Sequence, residues 1–216
     1  MRTENLNELI DHTLLAATAT RAQIAQLCIE ARECRFFSVC VNPYWIADCR
    51  KLLEGSSVKV CTVVGFPLGA TSSRAKAAET RIAVEAGADE LDMVINVGAA
   101  KEGHWDFLEH EIHEIVSAAQ GRLVKVILET AALTPEEIVQ AAKRSVSAGA
   151  HYVKTSTGFG PGGATVEAVR LMRETVGCQP GVKASGGIKT RAQAEALIEA
   201  GATRIGSSSS VALITG

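Results

Sequence analysis

Two rhythms of apolar positions alternate along the chain. Short, nearly unbroken runs rich in Val and Ile occupy positions 9–12, 38–41, 59–64, 90–96, 123–129, 152–155, 182–185 and 203–207. Between them lie Ala-rich stretches whose apolar residues return at helical spacing. Unbroken apolar runs are what a parallel strand covered on both faces requires; a strand with one wet face would alternate. Eight strands alternating with helices predict an α/β fold, a (β/α)8 barrel forming one domain over residues 1–216. An open doubly wound sheet is the competing architecture, but no G-x-G-x-x-G motif follows the first strand. The first run rests on its place in the count alone.

Polar punctuation supports the same division. Ala86-Gly87-Ala88, Ala148-Gly149-Ala150 and Ala200-Gly201-Ala202 each stand at the end of a periodic stretch and just before an apolar run. Glycine there suits the left-handed residue that closes a helix. Thr20, Thr134 and Thr190 are each followed three positions later by Gln or Glu, the spacing of a capping box, and Pro135 suits the first helical position. Over 73–86, Ala75, Ala78, Ile82, Ala83 and Ala86 predict one apolar helix stripe.

Three lysines interrupt the apolar runs, each directly after a valine: Lys125, Lys154 and Lys183. An ammonium in a strand is costly to desolvate unless something compensates. Crowded together, the three predict at least one lysine pKa well below the free value of about 10.4, and a neutral amine is a nucleophile toward carbonyl carbon. Active sites of such barrels lie at the C-terminal ends of the strands, which is where Lys154 and Lys183 fall; Asp92 lies on the fourth strand. Lys125 shares a face with Ile127 and Glu129 and sits deeper. A self-satisfied buried ion network is the competing account, and Lys125, paired with a carboxylate, fits it best.

A second group is rich in glycine and hydroxyls. Thr155-Ser156-Thr157-Gly158, Ser185-Gly186-Gly187 and Gly206-Ser207-Ser208-Ser209 follow the sixth, seventh and eighth strands. Backbone N–H groups and hydroxyls at one end of adjacent strands make an anion site, so a phosphorylated substrate is expected. His110 and His113 are a conceivable metal pair, but the glutamates between and around them read as a solvated helix face. Asp11 or His12, ending the first strand, is a further pocket candidate.

Composition narrows the classes. Of 216 residues, 47% are apolar and 21% charged, and the formal net charge is -2, which offers no basic footprint for nucleic acid or an anionic membrane. No apolar run reaches the roughly 18 residues of a membrane span, and the N-terminal residues lack the apolar core of a secretory signal. Six scattered cysteines without a C-x-x-C pair read as reduced thiols of a cytoplasmic protein.

The motifs Asp11-His12-Thr13-Leu14-Leu15, Val63-Val64-Gly65-Phe66-Pro67-Leu68-Gly69, Glu90-Leu91-Asp92-Met93-Val94-Ile95-Asn96, Val126-Ile127-Leu128-Glu129-Thr130, Val153-Lys154-Thr155-Ser156-Thr157-Gly158 and Val182-Lys183-Ala184-Ser185-Gly186-Gly187-Ile188 closely resemble the deoxyribose-phosphate aldolase family, in order, over about 9–209. The resemblance implies a cytosolic class I aldolase. It would split 2-deoxy-D-ribose 5-phosphate into glyceraldehyde 3-phosphate and acetaldehyde without metal or other cofactor, as a homodimer or homotetramer. It makes Lys154 the Schiff-base lysine, Lys183 the cation that lowers the Lys154 pKa, and Asp92 the acid/base partner working with a water. Gly158, Gly186, Gly187, Ser208 and Ser209 match positions around the phosphate. Thr13, Cys40 and Lys125, with Asp11, match pocket-lining or supporting positions. Phe159 stands where some relatives carry a lysine, and the chain stops at Gly216 where some relatives continue to a tyrosine; here the tyrosines are Tyr44 and Tyr152. Another class I aldolase, a phosphosugar isomerase, or a non-catalytic phosphometabolite binder on the same barrel are the competing functions.

Overall fold

The computed structural model describes residues 3–215. Eight parallel strands close on themselves in sequence order, β1 pairing with both β2 and β8. They are β1 (Ile10–Leu14), β2 (Ser38–Val41), β3 (Lys59–Val64), β4 (Glu90–Val94), β5 (Leu123–Ile127), β6 (Tyr152–Lys154), β7 (Gly181–Ser185) and β8 (Arg204–Ser207). Around them run helices α1 (Arg21–Glu33), α2 (Ile46–Leu52), α3 (Ser73–Glu85), α4 (Val97–Lys101), α5 (Trp105–Ala118), α6 (Pro135–Ser147), α7 (Val166–Val176), α8 (Arg191–Glu199) and α9 (Ser210–Thr215). The (β/α)8 barrel expected from the apolar runs is the fold observed. Among the described residues no helix is long and apolar enough to cross a membrane.

The predicted helix signals act as their chemistry requires. Thr20, Thr134 and Thr190 each accept from the backbone N–H three residues on, and Gln23, Glu137 and Gln193 return the bond to the cap. Such caps contribute about 1 kcal/mol each. Gly87 adopts φ +103°, with its N–H on Val84 O at 3.0 Å and the next N–H, of Ala88, on Ala83 O at 3.0 Å. Ala150 to Ser145 and Ala202 to Leu197 repeat that wrap at 3.0 Å each. A left-handed residue turns the chain sharply into the next strand, and glycine takes that conformation without a Cβ clash.

Strand ends depart from expectation for local reasons. Residues 3–9 form a short 3-10 turn, so β1 starts one residue later than predicted and carries Thr13 and Leu14. β4 stops at Val94 because Asn96 caps α4, its side chain accepting from Ala99 N. β5 stops at Ile127 because Glu129 turns to φ +57°. Of the predicted stripe on α3 only Ala83 is buried, and the rest is corrected. Ala75, Ile82 and Ala86 are exposed, and the buried face is Lys76, Ala77, Thr80 and Ala83. Lys76 is drawn inward by Glu111 on α5 at 2.9 Å and by Val94 O at 2.8 Å, and this turns the helix about its axis.

The main apolar core fills the ring between strands and helices, with Ile10, Val39, Val60, Leu91, Val126, Val153, Val182 and Ile205 on the outer face of the sheet. Fully burying one such side chain contributes about 1.5–3 kcal/mol. The inside of the barrel differs: a small apolar cluster of Leu15, Cys40, Cys61 and Val63 sits beside the buried charged groups Asp11, Glu90, Asp92, Lys125, Lys183 and Arg204.

Candidate active site

Alternation along β4 puts Glu90 and Asp92 on the same face, and register sets Asp92 beside Lys125 and Lys154 beside Lys183. These side chains meet inside the barrel. Asp92 Oδ2 accepts from Lys154 Nζ at 2.7 Å and from Lys183 Nζ at 2.8 Å; Oδ1 accepts from Lys125 Nζ at 2.8 Å and from the Cys61 thiol at 3.2 Å. Asp11 Oδ2 accepts from Lys183 at 2.5 Å, and its Oδ1 from Ser38 Oγ at 2.7 Å and Arg204 at 2.9 Å. Glu90 pairs with Lys125 at 2.6 Å and with the same Arg204 nitrogen at 3.0 Å. The Arg204 guanidinium lies 3.5 Å from the centre of the Phe37 ring.

Lys125 and Lys183 are compensated by carboxylates, as the ion-network account expected for Lys125, and neither is the lysine with a lowered pKa. Burial pushes each ammonium's pKa down, but the carboxylates outweigh it: Asp92 first for Lys125, and Asp11 then Asp92 for Lys183. Both stay above the ordinary lysine value. In turn, burial would raise Asp92, yet Lys125, Lys154 and Lys183 hold it well below the usual carboxylate range. Asp11 is lowered likewise, against burial, by Lys183, Lys125 and Arg204. Sequence reasoning missed Glu90 and Arg204 as members of this cluster. The two-residue spacing of Glu90 and Asp92 was the available signal for one; nothing local marks Arg204.

Above the cluster a cavity of about 330 Å³ opens at the C-terminal ends of β1, β6, β7 and β8. Lys154, Thr13, Gly158, Gly186, Gly187 and Ser208 border it. Asp11, Cys40, Lys125 and Asp92 do not; all four are fully buried beneath. Ser209 is also absent from the wall, its N–H donating to Ser207 Oγ at 2.9 Å, and Ser207 lines the cavity instead. His12 faces away from the interior, its Nε2 lying 2.7 Å from Glu30 on α1. His110 is exposed beside Glu114.

The cavity walls are tied to one another. Thr155 Oγ donates to Ser185 O and accepts from Ser185 N, both at 3.1 Å, and Ser185 Oγ donates to Ser156 O at 2.6 Å. Gly186 holds φ +90°, and a Cβ on Gly163 would meet Gly186 O at 2.2 Å, so the loops after β6 and β7 touch backbone to backbone. Ser207 Oγ donates to Ile188 O at 2.7 Å. Lys189, exposed on the same rim, supplies a cation that sequence reasoning overlooked, although it directly follows the Gly186-Gly187-Ile188 turn. Phe159 forms an apolar edge, its ring 5.4 Å from that of Phe66 at 86°.

Fold and site together define a barrel protein whose axis holds a lysine–carboxylate cluster under a hydroxyl- and glycine-lined cavity. Residues 7–212 match the model of the DeoC/LacD family aldolase. The chain belongs to that family of carbon–carbon lyases. It is similar to the deoxyribose-phosphate aldolase of Geobacillus sp. (strain WCH70), 58% identical over 98% of this chain and 96% of the relative. It is similar as well to the deoxyribose-phosphate aldolase of Brevibacillus brevis, 59% identical over 98% and 96%. Among solved structures, the tetrameric deoxyribose phosphate aldolase of Aeropyrum pernix superposes with a TM-score of 0.91 at 35% identity, covering 97% of this chain and 89% of that one.

Proposed function

We propose that this protein cleaves 2-deoxy-D-ribose 5-phosphate reversibly to D-glyceraldehyde 3-phosphate and acetaldehyde through a Schiff base on Lys154. The observation that carries the reading is the position of Lys154: last residue of β6, bordering the cavity, its Nζ 2.7 Å from Asp92 Oδ2. Lys125, Lys154, Lys183 and Arg204 face Asp11, Glu90 and Asp92, so basic groups outnumber carboxylates by one. Lys154 pairs with Asp92 alone among these carboxylates, whereas the other three bases each pair with at least two.

Lys154 Nζ, as the free amine, adds to the C1 aldehyde carbon, and loss of water leaves a protonated imine. That cation withdraws electrons from C2. The C3 hydroxyl gives its proton to Asp92 through a water, a C3 carbonyl forms, and the C2–C3 bond breaks with its electron pair entering the C1–C2 bond as an enamine. Glyceraldehyde 3-phosphate leaves. The enamine takes a proton at C2, and water hydrolyses the imine to acetaldehyde and free Lys154. In this reading Lys183, paired with Asp11 and Asp92, donates and recovers protons in these steps, and those ion pairs support it.

The phosphate fits the cavity lined by Gly158, Gly186, Gly187, Ser207 and Ser208, with Lys189 as the cation at its rim. The names of the relatives support this substrate. The tetrameric Aeropyrum relative supports self-association, and the unpaired cysteines suit a reducing cytoplasm.

Borohydride reduction in the presence of acetaldehyde tests the reading. An ethyl group fixed on Lys154, found by peptide mass spectrometry together with cleavage of the deoxysugar phosphate, supports it. An unlabelled Lys154 refutes it and leaves an isomerase or a binding protein.

A further inference from the structure

Beneath Lys154 two thiols that the aldolase chemistry does not use converge on Asp92 from neighbouring strands. Cys40 on β2 and Cys61 on β3 are direct register partners, and Asp92 lies on the next strand, β4. Their ligand atoms, two sulfurs and a carboxylate oxygen, all lie within 4.8 Å of one another, and all three residues are fully buried. We infer that Cys40, Cys61 and Asp92 form a binding site for a soft divalent metal ion of the zinc and cadmium class, and that its occupation inhibits the enzyme.

The geometry suits such an ion. Zinc binds thiolate sulfur at about 2.3 Å and carboxylate oxygen at about 2.0–2.2 Å in a tetrahedron, which sets ligand atoms roughly 3.3–3.8 Å apart. Donor atoms already within 4.8 Å of one another need to close by at most about 1.5 Å to reach that spacing. The Cys61 thiol, 3.2 Å from Asp92 Oδ1, already directs its proton along a line that a metal can take over. Water from the cavity completes the fourth position once Lys154 swings aside. Thiolates select soft ions, so magnesium and calcium are excluded.

Charge is the decisive consideration, because Lys125, Lys154 and Lys183 all bond to Asp92 and would repel an added cation. Binding through two thiolates removes that objection. The divalent ion enters, two thiol protons leave to solvent, and the cluster's net charge is unchanged. Lys125 gives up Asp92 Oδ1 and its 3.3 Å contact with the Cys61 sulfur, yet keeps Glu90 at 2.6 Å. Asp92 Oδ2 stays with Lys183. A second convergence, of Asp11, Cys61 and Glu90, has one thiol to deprotonate and two carboxylates already spanned by Arg204, so it lacks this compensation.

Inhibition rests on the role of Asp92 proposed above, since a carboxylate held by a metal no longer takes up the substrate's proton. Binding does not rest on it and is read directly. Cadmium chloride is titrated anaerobically into the reduced, full-length protein while the thiolate-to-cadmium charge-transfer absorption is followed. The expected result is saturation at one cadmium per chain, loss of the band in Cys61→Ala, and its persistence in Cys178→Ala and in the double variant Cys28→Ala/Cys49→Ala, which removes the other neighbouring thiol pair. A band that survives in Cys61→Ala, or no band in the wild type, overturns the site. Crystals of the wild-type protein soaked in cadmium need no variant: an anomalous peak between Cys40, Cys61 and Asp92 supports it, and a peak only elsewhere overturns it. Cleavage activity that falls as cadmium binds and returns with a chelator supports the inhibitory role. Binding without loss of activity overturns that role while leaving the site.

Discussion

Lys154 Nζ stands 2.7 Å from Asp92 Oδ2, at the boundary between a sealed ionic interior and an open cavity. Two further lysines converge on the same carboxylate. One side chain thus balances the charge of the cluster and, in the mechanism proposed above, also accepts the proton of the reaction; these two duties separate experimentally. Asp92→Asn keeps the size of the group but loses its charge and its basicity. It is expected to lower kcat by about 10²–10⁴ with little change in KM. It should also lower thermal stability, since stripping one partner from a buried ion cluster costs about 3–5 kcal/mol. Steady-state cleavage assays with thermal melts check both, and a kcat within a few-fold of wild type would refute the acid/base role.

Arg204 touches neither cavity nor Lys154, yet one of its nitrogens spans Asp11 Oδ1 and Glu90 Oε2 at 2.9 and 3.0 Å. Burial pushes its pKa down, but Asp11 and Glu90 raise it above the ordinary arginine value. Arg204→Met leaves Lys183 and Lys125 as the cations facing Asp11 and Glu90, with an expected loss of about 3–5 kcal/mol. Arg204→Lys should recover little of this, because a compact ammonium on a shorter reach cannot both bridge the two carboxylates and lie over the Phe37 ring. Urea denaturation of the two variants decides the matter: a lysine variant as stable as wild type would show that charge alone suffices.

Lys189 is a cation on the rim of the cavity that Phe159 also borders. A hydrogen bond to a charged group contributes about 1.5–3 kcal/mol, so Lys189→Ala should raise KM for the phosphorylated sugar roughly 10- to 100-fold. Cleavage of unphosphorylated 2-deoxyribose, which lacks the anion, should change little. Equal losses on both substrates would mean that Lys189 does not meet the phosphate.

The features legible in the sequence were those written in neighbouring residues. The Ala-Gly-Ala stops, the three threonine caps and the unbroken Val/Ile runs are local signals, and each lies where its chemistry led. Lysines after valines marked the interior because a strand rarely hides an ammonium. What compensates those lysines was not legible: Arg204 meets Asp11 across 193 positions and Glu90 across 114, and only barrel closure brings them together. The same limit produced the wrong stripe on α3. An Ala/Ile count puts the apolar face inward, whereas a lysine whose partner lies on another helix turned it away.

The ionic interior also sets how stability depends on pH. Asp11 and Asp92 have folded-state values below their unfolded ones, so their contribution is complete above about pH 4 and is lost as pH falls toward the folded values. Lys125 and Lys183 are raised, so theirs is complete below about pH 10.4 and is lost as pH rises through the folded values. The expected profile is a plateau from about pH 5 to about pH 9.5 with a fall on each side. Asp11→Asn should give a lower plateau and a shallower acid limb, because one depressed carboxylate is gone. Chemical denaturation across the range tests this, and a wild-type stability that rises on acidification below pH 4 would contradict it.

A second ion pair, outside the barrel, is expected to be structural and not catalytic. Lys76 and Glu111 are both fully buried, 2.9 Å apart, and Lys76 Nζ also donates to Val94 O at 2.8 Å, tying α3 and α5 to the end of β4. Burial pushes the Lys76 pKa down, and Glu111 opposes that. Removing one partner leaves a charge in an apolar setting, so Lys76→Met alone should destabilise by about 3–5 kcal/mol. Replacing both, Lys76→Met with Glu111→Leu, removes the unpaired charge and should regain much of that loss. Some deficit should persist, since Val94 O, Asn96 N and Ser73 Oγ lose their partners. A double-mutant cycle by denaturation measures the coupling, and kcat per folded molecule should stay near wild type in all three variants. A double variant no more stable than Lys76→Met would show that the backbone bonds, and not the unpaired carboxylate, dominate at this position.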